Sequence, residues 1–364
     1  MGKLFHRSFK RVLGFTLIEL LVAALIASIF LAATGGIVIQ TMRVDREETA
    51  RTQIQAELTQ AMQYIQQDLA EALYIYNDAE QPNGDGTPDL IQRLYNPGWI
   101  RRTQGSIPVV AFWRLNPIPQ RCYQGPPTLQ QIREGQATLK DKPAGISDGD
   151  WDNIRRRRNV YTLVVYYLRR NYNNAGNLAD GSTTPWEGNA RITRFELQPF
   201  NGDCTARSPF FVEDPDPFQA GFLSWPRDPA VQTPIANQAG TTGGVPRPLI
   251  SNIFSSRDGR PQVAPVCPQG YVFGGGKPAA VTFSGLNTNE NDLSFYVCVR
   301  RSAAANLPQD VIINITATAM ERSNPGLFRQ YIQNATSVDA EQISRYLTTM
   351  QTQVLSRGVF NRQA

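Results

Sequence analysis

The sequence predicts an α+β protein in which one long N-terminal helix packs on an antiparallel β-sheet domain. The first observation behind this prediction is an apolar stretch over residues 15–39 that continues into an amphipathic segment without any proline. The second is a change in the residue pattern after residue 77. There, short runs rich in Val, Ile, Tyr and Phe alternate with Pro, Gly and Asn, which is the pattern of strands joined by turns.

The helix opens with 25 residues, Phe15–Ile39, that carry a single charge, Glu19. About 20 apolar residues are enough to span the hydrocarbon core of a bilayer. The residues ahead of this stretch include no acid and four bases, Lys3, Arg7, Lys10 and Arg11. This asymmetry predicts a cytoplasmic N-terminus and an exported remainder. Because a carboxylate inside a membrane usually has a partner, Glu19 is a candidate functional residue.

The apolar run becomes amphipathic from Arg43. Seven apolar residues recur at helical spacing and form one stripe: Ile54, Leu58, Ala61, Ile65, Leu69, Ala72 and Tyr76. The pattern predicts that residues 43–77 continue the helix and lay this stripe on the domain. Gly35 and Gly36 weaken the helix by about 1 kcal/mol each relative to Ala. They indicate either a place where the helix bends or melts, or close packing against a neighbour.

Six strands are predicted within the β-rich domain, which covers residues 78–364: Ile107–Leu115, Asn159–Arg170, Arg191–Pro199, Ala279–Phe283, Leu293–Arg300 and Asp310–Glu321. Alternation in the last two suits antiparallel strands with one covered face, for which the amphipathic helix is the natural cover. Residues 213–248 hold seven prolines and are predicted to be a long loop or excursion. Residues 338–355 show helical intervals, but their second half fits a closing strand equally well.

Composition argues against an enzyme. The 364 residues carry a formal net charge of +5, and the only histidine is His6. From Phe15 onward the chain has 32 basic and 31 acidic residues, so its overall charge does not indicate nucleic-acid binding. Without histidine, that part of the chain cannot use Ser-His-Asp or Cys-His activation or His-ligated metals. No enzymatic role and no specific nucleic-acid partner are predicted.

Four cysteines are widely spaced, without any C-x-x-C pair: Cys122, Cys204, Cys267 and Cys298. In an exported chain they are predicted to form disulfides; four reduced, buried thiols are the alternative. Sequence alone allows three connectivities. We favour Cys122–Cys204 and Cys267–Cys298 because each pair closes within one strand-rich module.

A calcium loop is a further candidate, in residues 82–89. The segment is similar to the D-x-N-x-D-G loop, and the oxygen ligands in register are Asn83, Asp85 and Asp89. Glutamine occupies both the first and the twelfth ligand position, where calcium loops carry Asp and a bidentate Glu. A plain turn built on Asn-Gly and Asp-Gly is therefore the alternative. No other cofactor is predicted.

Four consecutive arginines, Arg155, Arg156, Arg157 and Arg158, follow Trp151 and precede a predicted strand, which places them on a loop edge. Adjacent cations suit an anionic polymer such as acidic polysaccharide or DNA. The alternatives are a solvated strand flank and contacts with acidic faces of adjacent subunits.

The N-terminal pattern resembles a known family. Gly14 followed by Phe15-Thr16-Leu17-Ile18-Glu19, behind a short basic leader, is similar to the class III signal of type IV prepilins and pseudopilins. The resemblance implies a leader of residues 1–14, cleavage by prepilin peptidase between Gly14 and Phe15, and N-methylation of Phe15. It also implies that Glu19 meets the N-terminal amine of a neighbouring subunit during assembly. An ordinary signal-anchor helix and a secretory signal peptide cut near Ala33 are the alternatives.

The same resemblance implies a pilin-like fold in which residues 15–42 form the transmembrane or filament-core helix. The chain would cross the inner membrane once, with a periplasmic domain, and then enter a periplasmic or cell-surface filament. The implied partners are other pilin or pseudopilin subunits, prepilin peptidase, the inner-membrane assembly platform, and membrane lipid before assembly.

Scattered segments are similar to the larger W- and J-type minor pilins: Asn159–Leu168, Arg194–Leu197 and Gln353–Gly358. Together with Asn83–Asp89 and Asp148–Trp151, they resemble the hormogonium polysaccharide secretion pseudopilins of filamentous cyanobacteria. That resemblance implies a role in polysaccharide secretion and gliding motility. A pseudopilin of a type II protein secretion system and a membrane-anchored periplasmic binding module remain as alternatives.

Overall fold

The computed structural model describes residues 16–76, 94, 100, 106–172, 177–178, 186–197, 199–208, 211, 247–256, 266–275, 294–300 and 308–357. The helices in these ranges are α1 (Leu17–Ala70), α2 (Leu129–Arg133), α3 (Asp148–Arg157), α4 (Met320–Ser323), α5 (Pro325–Gln333) and α6 (Ala340–Ser344). The strands are β1 (Ala72–Ile75), β2 (Ser106–Pro117), β3 (Asn159–Arg170), β4 (Ala190–Leu197), β5 (Arg247–Ile253), β6 (Tyr271–Phe273), β7 (Phe295–Arg300), β8 (Asp310–Thr318) and β9 (Leu347–Leu355).

The chain divides into two units, Met1–Thr49 and Ala50–Ala364, and α1 contributes to both. Within the second unit, the buried residues of α1 recur every three or four positions, as the sequence pattern predicted. Those of the predicted stripe are Ile54, Leu58, Ala61, Ile65 and Leu69, each 3% exposed or less. This half of α1 therefore lies in the core of the domain.

The helix ends at Ala70, several residues before the predicted boundary near residue 77. Ala72–Ile75 forms β1, which pairs antiparallel with β2 so that Ile75 lies opposite Phe112. Ala72 and Tyr76 are both fully buried, as they would be on the helical stripe. Burial alone therefore does not distinguish helix from strand here. The aromatic and β-branched residues between them favour the strand.

The nine strands form one antiparallel sheet in the order β1-β2-β3-β4-β5-β8-β7-β6, with β9 on β8 as well. The longest pairing joins β2 and β3, from Ser106 opposite Arg169 to Pro117 opposite Asn159. In contrast, β5 and β8 are paired at one position, Ile253 opposite Ala317. That short contact is where the β1–β5 half of the sheet meets the β6–β9 half.

The two halves of the sheet also contact each other away from the β5–β8 pairing, where β1 and β2 meet residues next to β8 and β6. The side chain of Gln309 donates to the carbonyl of Ile75 at 2.9 Å and accepts from its N–H at 2.7 Å. Gly275, just after β6, lies against β2, since a Cβ there would stand 2.3 Å from the carbonyl oxygen of Val109. The sheet is thus curled, and one core cluster contains residues of α1 and of both halves.

Two smaller clusters lie elsewhere among the residues that the structure describes. One surrounds the Cys122–Cys204 disulfide and includes Trp151 and Phe200. The other packs α4, α5 and α6 around Tyr331. A second disulfide joins Cys267, ahead of β6, to Cys298 in β7. Both bonds match the pairing favoured from sequence.

Five of the six predicted strands are confirmed as β2, β3, β4, β7 and β8, with ends shifted by a few residues. The largest shift is in β8, which stops at Thr318 because α4 follows. The sixth, Ala279–Phe283, lies outside the described residues. In the tail, the strand alternative is the observed one, since β9 pairs along the whole of β8.

Three strands were not predicted: β1, β5 and β6. Strand β5 begins at Arg247, so the last two residues of the segment predicted as an excursion, residues 213–248, belong to the sheet. Residues 213–246 lie outside the described residues.

Candidate functional site

The start of α1 places Glu19 in the first helical turn. Its backbone N–H donates to the carbonyl oxygen of Thr16 at 3.1 Å and lies 3.4 Å from Thr16 Oγ1. Thr-x-x-Glu is the pattern of a capping box, and the helix dipole favours an acidic residue near this end. Glu19 therefore suits the start of the helix locally, while its side chain remains exposed. Gly14 and Phe15 lie outside the described residues.

The following residues of α1 expose an apolar surface all around the helix. No residue of its most hydropathic 18-residue window is buried, and by length and composition the helix can cross a membrane. The large apolar side chains between 48% and 84% exposed are Leu17, Ile18, Leu20, Leu21, Val22, Leu25, Ile26, Ile29, Phe30, Leu31, Ile37, Val38, Ile39, Met42 and Val44. A continuous apolar surface of this kind is typical of a segment that lies in lipid or among other helices.

The few hydroxyl groups in this segment are satisfied within the helix. Ser28, Thr34 and Thr41 donate to backbone carbonyls three or four residues earlier, at 2.7, 2.8 and 2.9 Å. In an apolar medium an unsatisfied donor is costly, so these bonds make the segment compatible with lipid or a filament core. Glu19 is the one charged residue between Thr16 and Met42.

Helix α1 continues through Gly35 and Gly36 without a break. A Cβ added at either position would meet nothing within 4 Å. Packing within the described part of the chain therefore does not explain the two glycines. Close approach of a neighbouring helix remains a prediction for this position.

A buried charge network joins α1 to the sheet at Asp68, which is 5% exposed. Asp68 accepts a hydrogen bond from the Tyr166 hydroxyl at 2.6 Å and pairs with Arg194 Nε at 2.7 Å. It also pairs with Arg114. Sequence reasoning missed this residue. The available signal was its spacing, because Asp68 follows Ile65 by three positions and so lies at the border of the apolar stripe.

The network shifts the pKa values of Tyr166 and Arg194. Burial raises the pKa of Tyr166 above its ordinary value of 10.0, and the adjacent Asp68 carboxylate raises it further. Burial by itself would lower the pKa of Arg194, but its hydrogen bond and attraction to Asp68 outweigh burial, and the pKa is raised. The network therefore keeps a neutral phenol and a charged guanidinium on the carboxylate.

The arginine cluster lies on a helix, and its placement on a loop edge was wrong. Arg155, Arg156 and Arg157 form the last turn of α3, and Arg158 caps it in the left-handed conformation with φ 57°. The Ser147 side chain caps the other end, and acidic residues occupy the first turn. Acids at the start and bases at the end complement the helix dipole. The helix was not predicted because α3 begins with Asp148-Gly149-Asp150, a sequence that is typical of turns.

Three of the four arginines line a groove of about 780 Å³ next to residues 135–142. Its cationic residues are Lys140, Lys142, Arg155, Arg156 and Arg158. The acidic residues are Asp141 and Asp152, so cations outnumber acids. Arg157 does not line this groove. The structure thus brings two lysines, which the sequence did not single out, beside the predicted cluster.

The calcium candidate lies outside the described residues, as Asn83, Asp85 and Asp89 all do. Among the residues that the structure describes, no group of three or more His, Cys, Asp or Glu side chains is arranged to hold a metal ion. Calcium binding at residues 82–89 stays a prediction.

The prokaryotic N-terminal methylation motif matches residues 9–35. Comparison with curated proteins and with solved structures gives no match. The matched segment includes Lys10 and Arg11, the Gly14–Phe15 junction and Glu19.

The motif, the apolar helix and the curled antiparallel domain together support a type IV pilin-like or pseudopilin-like subunit. The motif belongs to structural subunits and implies processing by prepilin peptidase and assembly with other pilin subunits. Among the described residues, α1 is the one helix long and apolar enough to cross a membrane, and together with the motif it suggests that the chain is anchored there.

Proposed function

We propose that this protein is a minor pilin or pseudopilin of a type IV pilus-like filament that serves polysaccharide secretion and gliding motility. The observation that carries the proposal is an apolar helix with one acid, Glu19, five positions into the segment that begins at Phe15. Cleavage after Gly14 would free the amine of Phe15. A neighbouring subunit's amine would then neutralise Glu19 inside an apolar filament core, where an unpaired carboxylate is unfavourable.

Assembly gives the apolar surface of α1 a reason to be exposed in the isolated chain. Before assembly the segment would lie in the inner membrane, with its N-terminus cytoplasmic and the domain periplasmic. After assembly the same side chains would pack against other helices, with the domains outside. We include in this proposal that the protein is a W- or J-type minor pilin, because Asn159–Leu168, Arg194–Leu197 and Gln353–Gly358 resemble segments of those pilins.

The test is a pair of substitutions at Glu19, introduced in the native cell. We expect both Glu19→Ala and Glu19→Gln to abolish recovery of the protein in sheared filaments or in cross-links to other subunits, because each removes the charge that pairs with the amine. Asp45→Ala is the matched control, since Asp45 is an exposed acid of the same helix beyond the apolar stretch. Assembly of Glu19→Gln at the wild-type level would show that Glu19 acts only as a helix cap, because Gln also completes a capping box.

Deletion of the protein distinguishes the kinds of cargo. Loss of exported polysaccharide with normal protein export would support the proposal. Loss of exported enzymes with normal polysaccharide would instead assign the protein to a type II secretion system. If polysaccharide and enzymes are both exported normally, and if Glu19→Ala assembles as well as Asp45→Ala, the protein would instead be a membrane-anchored binding module.

A further inference from the structure

We propose that the groove between the end of α3 and residues 135–142 binds an acidic polysaccharide. This inference deepens the proposed function and rests on it for the choice of polymer. Its basis is the composition of the lining: five cationic side chains against two acidic ones, together with the uncharged polar side chains of Gln124, Gln136 and Thr138. Carboxylates or sulfates would meet the cations, and sugar hydroxyls would meet the amides and the threonine.

The cations differ in how far they are already engaged. Arg158 donates to the carbonyl of Ala137 at 2.7 Å and lies over the Tyr123 ring, so it holds the wall of the groove. Lys142 pairs with Asp148 at 2.7 Å, and Lys140 Nζ donates to the carbonyl of Asp203 at 3.1 Å. Arg155 reaches Asp152 only at 3.8 Å, both side chains being about 60% exposed, and Arg156 makes no ion pair in the described part of the chain. Arg155 and Arg156 are therefore the cations most available to a ligand.

The frame of the groove is fixed before any ligand arrives. The Cys122–Cys204 bond anchors one wall, and the backbone N–H of Lys140 donates to the carbonyl of Cys122 at 2.9 Å. Trp151, near the N-terminal end of α3, packs edge-on against Phe200. Because these groups are buried and bonded within the domain, binding would order few of them, which favours affinity.

The lining favours a polysaccharide over nucleic acid. Duplex DNA carries one charge per about 1.7 Å of its axis, so it binds most tightly to an uninterrupted cationic surface. Here the lining also contains Asp141 and Asp152. These two carboxylates would repel closely spaced phosphates. A polymer with one acidic group per sugar or disaccharide, separated by hydroxyls, fits a lining that contains both charged and uncharged donors.

The test uses the full mature chain, purified in detergent and immobilised, with polygalacturonate as the probe and neutral dextran and duplex DNA as comparisons. We expect polygalacturonate to bind, with affinity falling as salt rises, and dextran not to bind. Arg155→Gln with Arg156→Gln should lower that affinity about tenfold, because two charge contacts are lost. The matched control is Arg247→Gln with Arg329→Gln, the same charge change at exposed positions outside the groove. Wild-type circular dichroism and an intact disulfide on a non-reducing gel would establish that each variant is folded.

Absence of polygalacturonate binding, an equal loss in the control pair, or preferential binding of DNA would each overturn the inference. This binding assay needs no filament. Its failure therefore leaves the filament role standing, and failure of the Glu19 test leaves a measured groove affinity unchanged.

Discussion

Replacing Asp68 by Asn tests how α1 is held in the sheet. The substitution keeps the size of the side chain and one acceptor oxygen but removes the charge that pairs with Arg114 and Arg194. Breaking a buried ion pair from one side destabilises a protein by about 3–5 kcal/mol. Arg114 also pairs with Glu71, and Arg194 with Glu196, which softens the loss. We therefore expect the free energy of unfolding to fall by about 3 kcal/mol.

The measurement is urea unfolding of the mature chain in detergent, followed by tryptophan fluorescence. Trp113 is a suitable reporter, because it is fully buried beside Arg114 and its indole N–H donates to the Tyr76 hydroxyl at 3.0 Å. With an m value of about 3 kcal/mol/M, the loss lowers the midpoint by about 1 M. Glu71→Gln is the matched control, since the Glu71 side chain is 49% exposed and the midpoint should move by less than about 0.2 M.

Equal urea midpoints for the Asp68→Asn variant and the Glu71→Gln control would contradict this prediction. Such a result would mean that the buried carboxylate contributes no more than an exposed one. The apolar stripe would then contribute more to holding α1 in the domain than the charge network at Asp68 does.

Three further predictions concern the stability of the domain. Leu58→Ala, in the middle of the buried stripe, should lower the free energy of unfolding by about 2–5 kcal/mol, whereas exposed Gln53→Ala should leave a thermal melt nearly unchanged. The raised pKa of Tyr166 contributes stability that is complete below its ordinary value of 10.0 and is lost as the pH rises further. Tyr166→Phe should therefore flatten the fall in urea midpoint between about pH 9 and pH 11, and an unchanged slope would contradict this. Replacing Cys122 and Cys204 together by Ser should cost about 4 kcal/mol, since the bond closes a sequence separation of 82; a melt identical to wild type would rule that out.

Much of the fold follows from patterns that are local in the sequence. The stripe of α1 is recognisable because residues such as Ile54 and Leu58 must face one side of a helix. Strands β7 and β8 are recognisable by alternation, and Phe295, Val297, Ile313 and Ile315 are all in the core. The disulfide pairing could be favoured because each bond lies within one strand-rich module.

The remaining features depend on contacts between distant parts of the chain. The end of α1 at Ala70 is set by pairing of β1 with β2, which lies more than thirty residues further on. Strands β5 and β6 are short and irregular in pattern, and gain their place from neighbours in the sheet. The groove was not visible from sequence because residues 135–142 and the arginines of α3 are brought together around a disulfide.

We propose that the chain is processed and assembled as a type IV pilin-like subunit. The most direct measurement is the N-terminal sequence and intact mass of the mature protein isolated from membranes. We predict a mature chain that begins at N-methylated Phe15. A chain that still begins at Met1, or one that begins near Thr34, would contradict it.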